Sequence, residues 1–158
     1  MLFTRYDKCF GKSFYDPSVC FGNGTCDSHN YCNCNENYLG DQCQLINCFG
    51  KNSSDPQVCN GYGQCIKPNT CSCFLGNYLS ETGCNPCSPG KYQPSFNSSC
   101  LLCFAGTCQP YFGSFSNQSC LLCPNGTFNP FPGATSLLSC ESCPQGTYQS
   151  TIGEDCIL

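Results

Sequence analysis

Tryptophan is absent, histidine occurs once, at His29, and charged residues make up only 10% of the 158-residue chain. Each shortage excludes something. One histidine and ten scattered carboxylates supply no paired general acid and base, and no nucleophile elbow, phosphate loop or metalloprotease motif is present. His29 lies between Cys26 and Cys32, where a solvated loop is expected. Six Lys/Arg against ten Asp/Glu leave a net charge of −4 with no basic cluster, so nucleic-acid binding lacks its electrostatic requirement. No apolar run nears the roughly 20 residues of a membrane-spanning helix, so no membrane insertion is expected within this segment. Amphipathic helices of several turns are missing too, because Gly, Pro, Asn and Ser interrupt nearly every window. The expectation is a non-enzyme that needs no cofactor.

Cysteine is what the chain has, 21 residues of it. A fraction above about 10% in so polar a chain marks a disulfide scaffold made in an oxidising compartment. Folding costs roughly 1–2 kcal/mol of entropy per residue, which modules of about 35 residues cannot offset by apolar burial. Each native disulfide contributes about 2–4 kcal/mol, mainly by restricting the unfolded chain. Cysteine therefore takes the place of a core.

The spacing is a grid. From Cys9 to Cys43 the gaps run C-x10-C-x5-C-x5-C-x-C-x8-C, and from Cys48 to Cys84 they run C-x10-C-x5-C-x5-C-x-C-x10-C. The two stretches align: Cys9-Phe-Gly-Lys with Cys48-Phe-Gly-Lys, Asp16-Pro17-Ser-Val19-Cys20 with Asp55-Pro56-Gln-Val58-Cys59, and Gly22-Asn-Gly24-Thr-Cys26 with Gly61-Tyr-Gly63-Gln-Cys65. The recurring Asp-Pro is turn chemistry. Glycine beside the central cysteine and short polar alternation suit a two-stranded hairpin stapled to a loop. Spacing alone leaves 15 connectivities per module.

The six-cysteine order, with Cys-x-Cys near its end, resembles the epidermal-growth-factor-like (EGF-like) module. The tail Cys34-Asn-Glu-Asn-Tyr38-Leu-Gly40-Asp-Gln-Cys43 fits that family's ending. The second tail keeps Tyr78 but is two residues longer and has Leu-Ser after the tyrosine instead of Leu-Gly. The resemblance implies a 1–3, 2–4, 5–6 pattern: Cys9–Cys26, Cys20–Cys32 and Cys34–Cys43, then Cys48–Cys65, Cys59–Cys71 and Cys73–Cys84. Calcium-binding members carry an acidic pair before the first cysteine. Here Arg5-Tyr6-Asp7-Lys8 and Gln44-Leu45-Ile46-Asn47 stand there, too few oxygen ligands, so no calcium site of that type is expected.

The rhythm then changes. Cys-x-x-Cys pairs fall at 84/87, 100/103, 120/123 and 140/143. With Cys87, Cys103, Cys123 and Cys143 set as position zero, position +3 is Gly90, Gly106, Gly126 and Gly146, and +4 is Lys91, Thr107, Thr127 and Thr147. Position +5 is Tyr92, Cys108, Phe128 and Tyr148, and +7 is Pro94, Pro110, Pro130 and Ser150. Cys-Pro-x-Gly-Thr-aromatic followed by Cys-x-x-Cys resembles the cysteine-rich repeats of ephrin-receptor-like and tumour-necrosis-factor-receptor-like ectodomains, over residues 84–156. The simplest pairing closes each repeat on itself: Cys87–Cys100, Cys103–Cys120, Cys123–Cys140 and Cys143–Cys156. Units of this sort touch only their neighbours, which predicts an elongated rod.

The expected architecture is small and disulfide-rich, with short antiparallel β-hairpins and almost no helix. A lead-in at 1–8 precedes EGF-like modules at 9–47 and 48–84, and Cys-rich repeats of about 20 residues fill 85–158. Met1 to Lys8 holds no apolar signal segment. Cys156 follows Cys143 as Cys100 follows Cys87, so the grid expects another cysteine just past Leu158. The chain is therefore expected to be a fragment, stopping in mid-repeat, of a longer secreted or cell-surface protein.

Twenty cysteines pair in this scheme and Cys108, in the aromatic slot of its repeat, does not. It is a buried small hydrophobe, an intermolecular bridge, or the partner of a cysteine elsewhere in a parent chain. Cys100-x2-Cys103-x16-Cys120-x2-Cys123 also has zinc-ribbon spacing, but the neighbouring grids and the repeat register favour disulfides. From Asn85 to Leu158 only Lys91, Glu141, Glu154 and Asp155 are charged. Asn-x-Ser/Thr sequons at Asn23, Asn52, Asn97, Asn117 and Asn125 offer another source of hydration, N-linked glycans.

Nine tyrosines and twelve phenylalanines are many for a surface-rich chain. Phe10 and Phe49 follow the first cysteine of each grid and are expected to pack module to module. Tyr111, Phe112, Phe115, Phe128 and Phe131 cluster densely. They pack within and between repeats or form a contact with another chain, since aromatics dominate such interfaces. The sequence thus favours a structural, assembling segment of an extracellular fibre, matrix or appendage. Its partners would be other copies of itself or other extracellular proteins. The alternative is a receptor or adhesion ectodomain that binds a protein or glycan ligand.

Overall fold

In the computed structural model residues 8–149 and 155–157 are described. Most of the lead-in, and the expected stop in mid-repeat at Leu158, lie outside them. The described residues form short strands and four single-turn 3-10 helices, with no α-helix. Ten disulfides join Cys9–Cys26, Cys20–Cys32, Cys34–Cys43, Cys48–Cys65, Cys59–Cys71, Cys73–Cys84, Cys87–Cys100, Cys103–Cys120, Cys123–Cys140 and Cys143–Cys156. The fold is small, disulfide-rich and built of antiparallel hairpins.

The chain divides into two compact units, Met1–Ser72 and Cys73–Leu158. In the first, Lys8–Cys9 pairs with Lys12–Ser13, and Gly24–Ser28 pairs with Tyr31–Cys34. Leu45–Cys48 is the middle strand of a three-stranded sheet, with Tyr38–Leu39 on one side and Lys51–Asn52 on the other. Residues 44–47 are thus no free linker between the two cysteine grids, because three of them are hydrogen-bonded strand. The recurring Asp-Pro segments close Asx turns: Ser18 N–H donates to Asp16 Oδ1 at 2.8 Å, and Gln57 N–H to Asp55 Oδ1 at 2.7 Å. Single helical turns follow at Val19–Gly22 and Val58–Gly61, where Cys20, Phe21, Cys59 and Asn60 have φ between 52° and 61°. That left-handed conformation costs about 1–2 kcal/mol at a residue with a side chain. Here the bridges Cys20–Cys32 and Cys59–Cys71 hold it.

Buried cysteines make the core. Cys9, Val19, Cys20, Cys32 and Cys43 cluster with Phe10, Phe14, Cys26, Cys34 and Tyr38 around them. Phe10 therefore packs into its own grid rather than onto the next, and Phe49 is exposed. Both were expected between modules. Their backbones explain the difference: each has φ above +50°, with its N–H held by an asparagine twenty residues on, Asn30 at 2.6 Å and Asn69 at 2.7 Å.

The second unit is a series of hairpins: Asn77–Ser80 with Gly83–Pro86, Lys91–Tyr92 with Leu101–Leu102, Thr107–Cys108 with Leu121–Leu122, Thr127–Phe128 with Glu141–Ser142, and Tyr148–Gln149 with Cys156–Ile157. It starts at Cys73, inside the 48–84 segment that the sequence assigns to a second EGF-like module. Hydrogen bonding explains why. Gly90, Gly106 and Gly126 each accept, through their carbonyls, the N–H of Cys103, Cys123 and Cys143 at 2.9 Å. Gly76 accepts the Cys87 N–H at the same distance, so the Cys73–Cys84 loop keeps the register of the repeats that follow.

Candidate functional site

The repeats place two groups of side chains in contrasting surroundings, a column of amides that are buried in three of the loops and exposed aromatics on the longer ones. Position +6, which the sequence stacking passes over, is Gln93, Gln109, Asn129 and Gln149. Gln93, Gln109 and Asn129 are buried despite their polarity. A buried amide must be paired, and each one is. Gln93 Oε1 accepts the Gly76 N–H at 2.9 Å, and its Nε2 donates to the carbonyls of Asn77 and Ser98 at 2.8 and 3.0 Å. Gln149 repeats the pattern on the loop before it, accepting from Gly126 N–H at 3.2 Å and donating to Thr127 O at 3.0 Å.

Gln109 and Asn129 bond within their own loops, Gln109 to Ser119 O and Tyr111 N, Asn129 to the backbone of Phe131. Their main-chain carbonyls take over instead, accepting from Gly90 and Gly106 N–H at 2.7 Å. Loop length decides between the two arrangements. The bridges of Gln93 and Gln149 span 13 residues, those of Gln109 and Asn129 span 17. The longer loops hold an extra turn, Tyr111-Phe112-Gly113-Ser114 or Phe131-Pro132-Gly133-Ala134, which folds back onto earlier repeats. Gly113 N–H donates to Cys87 O and Gly133 N–H to Cys103 O, both at 2.8 Å, while Ser114 and Ala134 accept from Gln93 and Gln109 N–H at 2.9 Å.

The turns also reach two loops back. A Cβ on Gly76 would lie 2.0 Å from Gly113 O, and one on Gly90 would lie 2.3 Å from Gly133 O. The expectation that units touch only their neighbours is corrected here: only glycine, at φ near +80°, lets the backbones meet.

Fold-back leaves aromatics outside. Tyr111, Phe112, Phe115 and Phe131 are 59–72% exposed, whereas Phe128 is half-buried at its +5 position. The expected aromatic cluster thus separates into three exposed rings on the turns, the exposed Phe115 just after the first turn, and one ring that belongs to the stack. Cys108 is the free cysteine of the described residues and is fully buried. Ala134 bridges to it from the following loop, and burial pushes its thiol above the ordinary range. Of the sequon asparagines, Asn97, Asn117 and Asn125 are exposed and Asn23 and Asn52 are half-buried. Asn23 Nδ2, the atom that would carry a glycan, donates to Cys43 O at 3.4 Å. His29 is exposed. Two trios of clustered cysteines, Cys9, Cys20 and Cys32, and Cys48, Cys59 and Cys71, are tied up in disulfides and offer no thiolates for a metal. No described helix is long and apolar enough to cross a membrane.

Residues 95–140 match the family model of the tyrosine-protein kinase ephrin type A/B receptor-like module. The match spans Cys100, Cys103, Cys120, Cys123 and Cys140 with both fold-back turns. No curated protein sequence matches the chain. The repeats are thus similar to a cysteine-rich receptor-type module, and the ten bridges fit such repeats.

Proposed function

We propose that this chain is a non-catalytic part of the ectodomain of an extracellular receptor or adhesion protein, where it presents loops to a protein or glycan ligand. The observation that carries the reading is the ephrin-receptor-like match across the two fold-back repeats. It favours a receptor-type module over the structural fibre segment that composition alone pointed to. Ten disulfides support an oxidising, extracellular setting. In this reading residues 9–43 and 48–84 are EGF-like in their cysteine order, with repeats of receptor type after them. Glycans are carried on Asn97, Asn117 and Asn125 first, since their side chains are exposed.

The test is self-association. Sedimentation of the oxidised, glycosylated chain is expected to show a monomer across the micromolar range. Concentration-dependent oligomers or filaments would overturn the ectodomain reading and restore the fibre segment, with Tyr111, Phe112, Phe115 and Phe131 as its contact.

A further inference from the structure

Position +4 of the repeats is threonine three times, and each hydroxyl closes its turn. Thr107, Thr127 and Thr147 Oγ1 donate to the carbonyls of Phe104, Pro124 and Pro144, all at 2.7 Å. The exception is Lys91. It keeps the backbone bond of the turn, Lys91 N–H to Ser88 O at 3.2 Å, but has no hydroxyl to close it. The repeat thus gives up a hydrogen bond and gains an ammonium group.

Lys91 lines a cleft of about 370 Å³ with Tyr78, Pro86, Ser88, Ser99 and Cys100. The hairpin of Asn77–Ser80 and Gly83–Pro86 supplies Tyr78 and Pro86, and the loop closed by Cys87–Cys100 supplies Ser88, Lys91 and Ser99. No carboxylate lines the cleft, and Lys91 has no ion pair among the described residues. The hydroxyls of Tyr78, Ser88 and Ser99 have no hydrogen-bond partner there either. Four unspent polar groups beside an aromatic ring and a proline, in a volume within the range of roughly 300–1,000 Å³ typical of small-ligand sites, form a binding subsite.

The charge pattern narrows the ligand. Lys91 is the one lysine or arginine between Cys73 and Leu158, in a chain of net charge −4. A polyanion would meet one cation and otherwise be repelled. The geometry points to a subsite for a terminal acidic sugar. Its single carboxylate sits on Lys91, its hydroxyls on Ser88 and Ser99, and its apolar face on Tyr78. This names a ligand class for the ectodomain and rests on that reading.

The experiment is an NMR titration of the full oxidised chain, its own glycans desialylated, with sialyllactose, and with lactose as the neutral control. Saturable shifts at Tyr78, Ser88, Lys91 and Ser99 are expected with sialyllactose and none with lactose. Lys91→Gln should weaken binding at least about tenfold, the usual loss with one charge-assisted hydrogen bond, and Lys91→Arg should restore most of it. Equal shifts with lactose, unchanged affinity in the Gln variant, or equal competition by acetyl-glutamate amide would overturn the proposal, the last in favour of an acidic peptide. Should the Gln variant misfold, the sialyllactose–lactose contrast decides by itself. Sedimentation of the same sample separates the failures: self-association overturns the ectodomain reading, whereas a monomer without binding overturns the cleft.

Discussion

At the scale of single residues, burial reverses what side-chain chemistry suggests. Cys108 is a nucleophile by type, yet it is buried against Ala134 and its pKa is raised by desolvation. At any pH less of it is thiolate than of an exposed cysteine, and thiolate is the reactive form. Iodoacetamide at pH 8 is therefore expected to leave the native chain unlabelled. In denaturant without reductant it should add one group, mapped to Cys108 by mass spectrometry. The buried amides reverse expectation the other way. Each buried polar group left unpaired costs about 1–3 kcal/mol, and Gln93→Ala strips partners from Gly76, Asn77 and Ser98 at once. That substitution should lower stability clearly more than Gln149→Ala, whose bond to Gly126 is exposed. Denaturant melts of the oxidised variants check the order.

At the scale of elements, the turn decides what each hairpin contributes. Gly90 and Gly126 share a position in the repeat and a φ near +80°, but Gly126 has open space where Gly90 meets Gly133 O. Gly126→Ala should therefore cost only the left-handed strain of about 1–2 kcal/mol. Gly90→Ala should cost more and lower the melting temperature further, because backbone must move. How much of this is legible in the sequence follows from the range of each interaction. Hairpins and turns are visible, because Gly, Asn and Pro punctuate short polar strands, and the column of glycines at +3 stands out. The amides at +6 are not, since a glutamine between an aromatic and a proline looks like any surface residue. The signal that could find them is the column itself, four amides at one register position. Nor is the docking of Gly113 on Gly76 visible, because no local pattern encodes a contact across so many residues.

At the scale of the molecule, covalent bonds replace the apolar core. The buried apolar side chains of the described residues are mostly half-cystines, with Val19, Val58, Tyr92 and the free Cys108 beside them. Reduction is therefore expected to abolish the dispersed NMR spectrum at ambient temperature, and zinc added to the reduced chain should not restore it. Chelator should leave the oxidised chain unchanged. A reduced chain that refolds on zinc would reinstate the ribbon reading of Cys100, Cys103, Cys120 and Cys123. The fold class is plain in the sequence at this scale. The grouping is less so, since the six-cysteine grid assigns Cys73 and Cys84 to the preceding module while the compact unit that holds the repeats begins at Cys73 and Gly76 bonds to Cys87.

The landing of Gly113 on Gly76, and of Gly133 on Gly90, gives the repeats a direction. Each of the two long loops rests on the two loops before it. On a chain made from its N-terminus, each turn meets a glycine that has already emerged. Shortening from the C-terminal end removes turns and leaves their landing sites intact. Shortening from Cys73 onward removes the landing sites first and leaves the aromatic turns with nothing to close against.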